Sequence, residues 1–368
     1  LKNISILIKP SSSKCNMRCT YCFYEDVSLH RDIQDYGFMS TDTMKSLIDR
    51  AFEFVDDGYI HFAFQGGEPT LIGLPFYRAF VDYVQLNITG KHQVTYSIQT
   101  NGTTINQDWV NFFKANHFLV GVSIDGTKDQ HDYFRPLASL KGTHAIIMKH
   151  VKLLKEASVE TNILSVVNNR FVDHLEEIYQ FYQLNKMNYL QFIPELNPIG
   201  IDESHLDHDH YEIFLKNLFD HWYEDVTHQK LTSIRYFDNM LLIYLGYEPE
   251  SCDLKGVCSI QNVIESDGGI YPCDFYVTDE HRLGSIKKHS FNEVHQSDKS
   301  KTFIDESLIR HDECYTCPWF KLCRTGCKRR RTSDHKDMYC DVYKAFFSYA
   351  DERFKKLARM IEQGYKIT

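Results

Sequence analysis

The stretch Ile4-Ser-Ile-Leu-Ile-Lys-Pro-Ser-Ser-Ser-Lys-Cys15-Asn-Met-Arg-Cys19-Thr-Tyr-Cys22-Phe-Tyr24 decides the reading of this chain. Residues Ile4–Lys9 alternate like a strand and stop at a proline, which cannot continue a central ladder. A polar turn then delivers three thiols on one compact loop. Three such thiolates can hold three corners of a cubic iron–sulfur cluster and leave the fourth iron without a protein ligand. A structural zinc would need a fourth ligand, and His30, the nearest histidine, lies well past the loop. On spacing alone, iron–sulfur is favoured, and zinc or a plain buried loop remains open.

Beyond this stretch, short β-rich runs alternate with helical stretches. Strands are expected at Ile60–Gln65, Val94–Thr100, Phe118–Ile124, Thr161–Asn168 and Tyr189–Pro194. Helices are expected at Thr41–Val55, Pro75–Leu86, Gln107–Asn116, Gly142–Ala157 and Val172–Leu184. Strands alternating with helices imply βαβ units and an α/β fold with a parallel sheet, either an open doubly wound sheet or an incomplete barrel. In both, the strand C-termini carry the site. The first cysteine loop, Gln65-Gly-Gly-Glu-Pro69, Gln99-Thr-Asn-Gly102 and Ser123-Ile-Asp-Gly126 all fall at such ends. Turn chemistry explains one or two of them; four on one edge suggest a binding face. A long helical stretch is expected from His208 to about Tyr247, and a closing helix from about Tyr343 to Glu362.

The chain has 368 residues, 43% hydrophobic and 25% charged, which suits a globular protein of roughly two domains. A net charge of −9 disfavours general nucleic-acid binding, so no nucleic-acid partner is expected. No apolar run is long enough to span a bilayer, and no signal-peptide pattern opens the chain, so a cytoplasmic location without membrane association is expected. Eleven cysteines in a reducing compartment read as metal ligands rather than staples. Beyond the first loop they form Cys252-x5-Cys258-x14-Cys273 and Cys314-x2-Cys317-x5-Cys323-x3-Cys327-x12-Cys340. Hence the division expected is 1–235 for the α/β part and 236–368 for a metal-organised domain, in which metal binding is linked to folding. His205-Leu-Asp-His208-Asp-His210 reads as an acidic helix entry rather than a metal site. Lys328-Arg-Arg-Arg331, directly after Cys327, would offset cluster charge or meet an acidic partner.

Cys15-Asn-Met-Arg-Cys19-Thr-Tyr-Cys22 resembles the CxxxCxxC signature of the radical S-adenosylmethionine (SAM) enzymes, and Gly66-Gly67-Glu68-Pro69 matches their GGE motif. The resemblance implies a partial (β/α)6 TIM-like barrel and a 4Fe–4S cluster that cleaves SAM to a 5′-deoxyadenosyl radical. Toward SAM it points to Gly66, Gly67, Glu68, Ser123, Asp125, Arg135 and Leu164, with Tyr21 and Phe23 bordering the cluster loop. Glu68 would face the methionine ammonium, Arg135 its carboxylate, and Ser123 and Asp125 the ribose. The later cysteines resemble the SPASM extension, which holds two auxiliary 4Fe–4S clusters. Its interleaved pattern assigns Cys252, Cys258, Cys273 and Cys327 to one, and Cys314, Cys317, Cys323 and Cys340 to the other, so that three clusters and SAM are implied.

Over nearly the whole chain, the motifs resemble the anaerobic sulfatase-maturating enzymes, notably Phe62-Ala-Phe-Gln-Gly-Gly-Glu-Pro-Thr70, Ser233-Ile-Arg-Tyr-Phe-Asp238 and Tyr271-Pro-Cys-Asp-Phe-Tyr276. The resemblance implies oxidation of a Cys or Ser side chain of a sulfatase, within a Cys/Ser-x-Pro-x-Arg motif, to Cα-formylglycine. A flavodoxin or ferredoxin would be the electron donor. It makes Asp274 the general base, beside the ligand Cys273. Tyr24, Gln65 and Asn101 are weaker candidates for holding the peptide. The rivals are a SPASM enzyme forming a thioether or carbon–carbon crosslink, disfavoured because many carry a leader-binding domain before the first strand, and a zinc-organised binding protein.

Overall fold

Alternating apolar residues from Lys2 onward build strands close to where the pattern predicts them. The computed structural model describes residues 2–201 and 206–365, so His205 lies outside the described residues. The strands are β1 Lys2–Lys9, β2 Gly58–Phe64, β3 His92–Thr100, β4 Phe118–Ser123, β5 Thr161–Val167, β6 Tyr189–Pro194, β7 Ser233–Ile234, β8 Val263–Glu265, β9 Gly269–Tyr271 and β10 Gly284–Ser285. They are distributed over two compact units. The first comprises Leu1–Ser123, His131–Thr161 and Ser259–Phe303; the second comprises Ile124–Gln130, Asn162–Cys258 and Ile304–Thr368.

In the first unit the order is β10-β9-β8-β1-β2-β3-β4. Strands β8, β1, β2, β3 and β4 run parallel, with Lys9 opposite Glu265, Ile6 opposite Phe62, and Phe62 opposite Tyr96. Strand β8 comes from the late, cysteine-rich part of the sequence, so Glu265 and the Tyr271–Tyr276 run belong to the same unit as the first cysteine loop. Helices Thr41–Phe54, Leu74–Asn87 and Gln107–Ala115 bury one stripe each, as amphipathic helices on a sheet must. Ser40 and Asn106 cap two of them by accepting from backbone N–H groups in the first turn. Phe64, Tyr96, Phe112 and Phe113 all lie against the buried Phe118 ring, with centroids 5.0–6.2 Å away.

In the second unit β5, β6 and β7 pair in parallel, with Ile163 opposite Leu190 and Leu190 opposite Ile234. The long helix expected from His208 to Tyr247 is two helices, His208–Thr227 and Arg235–Tyr244, separated by β7. The break occurs because Asp225 recaptures the departing chain. Its carbonyl accepts from Lys230 N–H, its carboxylate from Thr232 Oγ1, and Gln229 takes a left-handed φ of 57°. The stretch expected as one helix over Val172–Leu184 is likewise two, Asn169–Asp173 and Leu175–Leu184, because the N–H of His174 turns to the Phe171 carbonyl instead of continuing the helix. The closing helix begins at Cys340 and runs to Glu362. Trp222, Phe237, Phe346 and Phe354 fill the core between these helices. Among the described residues no helix is long and apolar enough to cross a membrane.

Phe118→Ala should destabilise the protein by about 3–5 kcal/mol, because the cavity it opens is ringed by aromatic side chains that cannot collapse into it. Chemical denaturation followed by circular dichroism would measure the loss.

Candidate functional site

None of the eleven cysteines is in a disulfide. The first three sit on a loop that runs on from the end of β1 and is pinned by backbone bonds. Arg18 and Thr20 donate to the Pro136 and Phe134 carbonyls, and Ala138 donates to that of Asn16, at 2.9–3.0 Å. Gly67 N–H donates to the Ser12 carbonyl and Glu68 N–H to that of Lys14. A Cβ on Gly67 would fall 2.2 Å from the Lys14 carbonyl oxygen, so the Gly-Gly pair is required by the approach of the cysteine loop's own backbone. Gly66 adds a φ of 136°, open to glycine.

Glu68 is buried, and its carboxylate accepts four bonds: from Thr70 N–H, Thr70 Oγ1 and Thr100 Oγ1 on Oε1, and from Asn101 N–H on Oε2. Burial still raises its carboxyl above the usual carboxylate range. Asn101, weighed above as a peptide contact, gives its amide to the Asn16 Oδ1 at 2.9 Å and to the Cys15 sulfur at 3.8 Å. Asn16 in turn donates to Thr103 Oγ1. Neither Asn16 nor Thr103 was singled out in the sequence, since isolated polar residues in turns carry no signal of their own.

The Cys15 sulfur accepts from Met17 N–H and the Cys22 sulfur from Glu25 N–H, each at 3.4 Å. Arg135 Nη1 lies 4.0 Å from the Cys19 sulfur, and its guanidinium covers the Tyr21 ring at 5.3 Å. Burial pushes the Cys15 thiol up to about 12 and raises that of Cys22. A set of buried thiols whose anions lack sufficient countercharge fits a cationic iron cluster, which would displace their protons. Ser123 Oγ accepts from Gln99 Nε2 at 3.0 Å in the first unit. In the second unit Asp125 Oδ1 accepts from Val166 N–H at 3.1 Å, and the Leu164 carbonyl accepts from Ile124 N–H at 3.0 Å.

A buried charge chain lies beside the end of β1. Lys9, with no exposed surface, makes an ion pair with Asp274 Oδ1, and Gln65 Nε2 donates to Asp274 Oδ2 at 2.8 Å. The Lys9 ammonium also sits 3.7 Å over the Tyr24 ring. Tyr24 Oη donates to Glu265 Oε2, which receives Arg31 Nη1 at 2.7 Å. Burial, followed by the Glu265 charge, pushes the Tyr24 phenol far above its ordinary range. Phe23 lies edge-on to Phe275, the residue after Asp274, at 5.1 Å. Three members were missed in the sequence. Lys9 reads as a strand-ending lysine, while Arg31 and Glu265 are far apart in sequence and are joined only by the pairing of β8 with β1.

In the second unit Cys314, Cys317, Cys323 and Cys340 line one pocket with Trp319, Phe320 and Phe347. Burial pushes Cys323 up to about 12 and raises Cys314 and Cys340. Cys252, Cys258 and Cys327 also belong to this unit and Cys273 to the first; burial pushes Cys327 up to about 11. Among the described residues no three His, Cys, Asp or Glu side chains stand close enough to share a single metal ion, whereas an iron–sulfur cluster takes its thiolates on separate irons. The histidine-rich entry at His208 and His210 forms the first turn of a helix capped by Asp207, as expected.

Residues 10–182 match the radical SAM superfamily, and residues 252–318 match an iron–sulfur cluster-binding domain, SPASM. A cysteine-type anaerobic sulfatase-maturating enzyme of Clostridium novyi is 47% identical over 356 residues, covering 94% of this chain and 95% of that one. One from Clostridium perfringens is 40% identical over 368 residues, covering 98% and 99%. The chain belongs to the anaerobic sulfatase-maturating enzymes. A solved structure of native anSMEcpe with bound AdoMet and the Cp18Cys peptide superposes with a TM-score of 0.92 at 39% identity, over 97% of this chain and 99% of that one. The fold class is therefore the family's, an α/β partial (β/α)6 barrel with a SPASM domain, and the protein is a radical SAM oxidoreductase whose family uses iron–sulfur clusters and SAM.

Gly67→Ala should reduce iron bound by the amino-terminal set, because the new methyl would displace Lys14 and with it Cys15. Iron and sulfide analysis after anaerobic reconstitution, with circular dichroism to confirm the fold, would measure this.

Proposed function

We propose that this enzyme oxidises a cysteine of a sulfatase polypeptide to Cα-formylglycine, with Asp274 as general base. The observation that carries the reading is the fixed carboxylate of Asp274, adjacent to the ligand Cys273 and held by Lys9 and Gln65. The cysteine preference rests on the two relatives named cysteine-type, which match almost end to end. Residues 1–235 form the barrel and 236–368 the SPASM domain; Cys15, Cys19 and Cys22 hold the SAM cluster, and the two SPASM sets keep the assignments given above. When loaded, the amino-terminal set supplies with SAM the 5′-deoxyadenosyl radical, and the SPASM sets supply electron transfer.

The protein's own residues bind, orient and move a proton. Gly66, Gly67, Glu68, Ser123, Asp125, Arg135 and Leu164 form the SAM site, with Tyr21 and Phe23 at its border. Glu68 additionally fixes the ends of β2 and β3 through its four hydrogen bonds. Asp274 takes the thiol proton of the substrate. Lys9 and Gln65 hold that carboxylate in place, since a proton acceptor must reach its proton at hydrogen-bond distance. Tyr24 and Gln65 border this group and would help to hold the peptide near it. The setting is the cytoplasm, away from membrane and nucleic acid, with flavodoxin or ferredoxin as electron donor.

Asp274→Asn should still cleave SAM but lose formylglycine formation by roughly 10²–10⁴-fold, the usual contribution of a general base. Lys9→Met should raise the ratio of 5′-deoxyadenosine to formylglycine, and Lys9→Arg should lower it again. Anaerobic assays with paired peptides carrying Cys or Ser before x-Pro-x-Arg, read by mass spectrometry, test the whole reading. The Cys peptide should lose sulfur and gain an aldehyde faster than the Ser peptide loses two hydrogens. A crosslinked peptide, or a near wild-type product rate in Asp274→Asn, would overturn it.

A further inference from the structure

The basic run Lys328-Arg-Arg-Arg331 divides its charges unequally. Lys328 pairs with Glu306 at 2.6 Å, and Arg329 donates to the Asn197 carbonyl at 2.7 Å. Arg331 is consumed by the carbonyls of Ser307, Ile309, Thr325 and Gly326 and by Thr325 Oγ1. Arg330 differs. Its side chain is only 9% exposed, and it contacts Asp337 at 3.4 Å and Asp253 at 3.6 Å. Asp253 follows Cys252. Asp337 lies in the turn that ends at Cys340, whose N–H donates to the Asp337 carbonyl at 2.9 Å. The Arg330 N–H closes a turn on the Cys327 carbonyl at 3.0 Å. Arg330 and Cys323 line one small pocket with Tyr236 and Tyr343. Gly326 makes room for this arrangement, since a Cβ there would lie 2.1 Å from Asp337 Oδ2.

One guanidinium therefore ties together three cysteine-bearing segments. Cys252 and Cys327 belong to one SPASM ligand set, and Cys323 and Cys340 to the other. We infer that Arg330 is a positioning residue shared by both auxiliary clusters, its single buried charge biasing both toward the reduced state. This inference rests on the ligand sets proposed above. A nearby cation stabilises the extra negative charge that a cluster gains on reduction, so removing it makes reduction harder.

The test uses the full-length holoenzyme reconstituted anaerobically, as wild type, Arg330→Gln and Arg330→Lys. Iron and sulfide content comes first, followed by potentiometric titration monitored by electron paramagnetic resonance. Arg330→Gln should shift both auxiliary potentials to more negative values and leave the amino-terminal cluster, which has Arg135 beside it, unmoved. Arg330→Lys should remain closer to wild type at both. Potentials that stay put in a fully loaded Gln variant, a shift confined to one auxiliary cluster, or equal shifts in Gln and Lys would each overturn the inference. If the Gln variant binds less iron, the loss must come from both auxiliary sets and be recovered by Lys; loss from one set, or no recovery, would equally overturn it. Wild type lacking iron at the SPASM cysteines would instead refute the ligand sets themselves, so the two failures are distinguishable.

Discussion

Burial of sulfur with too little positive charge around it is the constraint on which the rest of the structure depends. Cys15, Cys323 and Cys327 lie where a thiolate is poorly solvated, and burial pushes each thiol well above its ordinary range. A metal cluster would remove that penalty by replacing protons with cationic iron, which would couple loading to folding of these loops. The loops show the consequence. Around Cys314–Cys340 regular structure is reduced to single turns, and a guanidinium, carboxylates and aromatic walls fill the role that a ladder of backbone bonds fills elsewhere.

The charge chain beside β1 follows a different rule. Lys9 and Arg31 face Asp274 and Glu265 across the Tyr24 ring, two cations against two carboxylates. Such a group tolerates burial only as a balanced set, because removing one partner strands another charge in a poorly solvated interior. Asp274 alone retains some exposure, 11% of its side chain against none for Lys9, Arg31 and Glu265. Asp274, the base in the proposed reading, is thus the member that solvent can reach, while its buried partners fix it in place.

What was legible in the sequence was local. The cysteine spacing, the glycine pair and the polar clusters at strand ends follow from short-range chemistry, and the first six strands lie within a few residues of their expected places. Sequence pattern was blind to what long-range pairing creates. Nothing in Val263–Glu265 says that it will lie parallel to β1, yet that pairing sets Glu265 opposite Lys9 and brings the Asp274 segment into the same unit. The helix break after Thr227 was hidden for a related reason, since a single buried residue, Asp225, overrides a helical pattern by capturing the Lys230 N–H on its carbonyl and the Thr232 hydroxyl on its carboxylate.

The glycines show how one residue type answers to two demands. In the sequence, Gly66-Gly67 reads as room for a cofactor; in the fold, the Lys14 carbonyl already stands where a Gly67 Cβ would be. The two demands coincide, because Lys14 precedes Cys15 and the cluster loop can reach its position only if its backbone passes that close. Glu68 completes the clamp from the other side, binding Thr100 and Asn101 at the end of β3 while Asn101 reaches the Cys15 sulfur. The motif is thus a mechanical joint between three strand ends, and precision in the radical's placement, which orientation-dependent chemistry requires, begins in that joint.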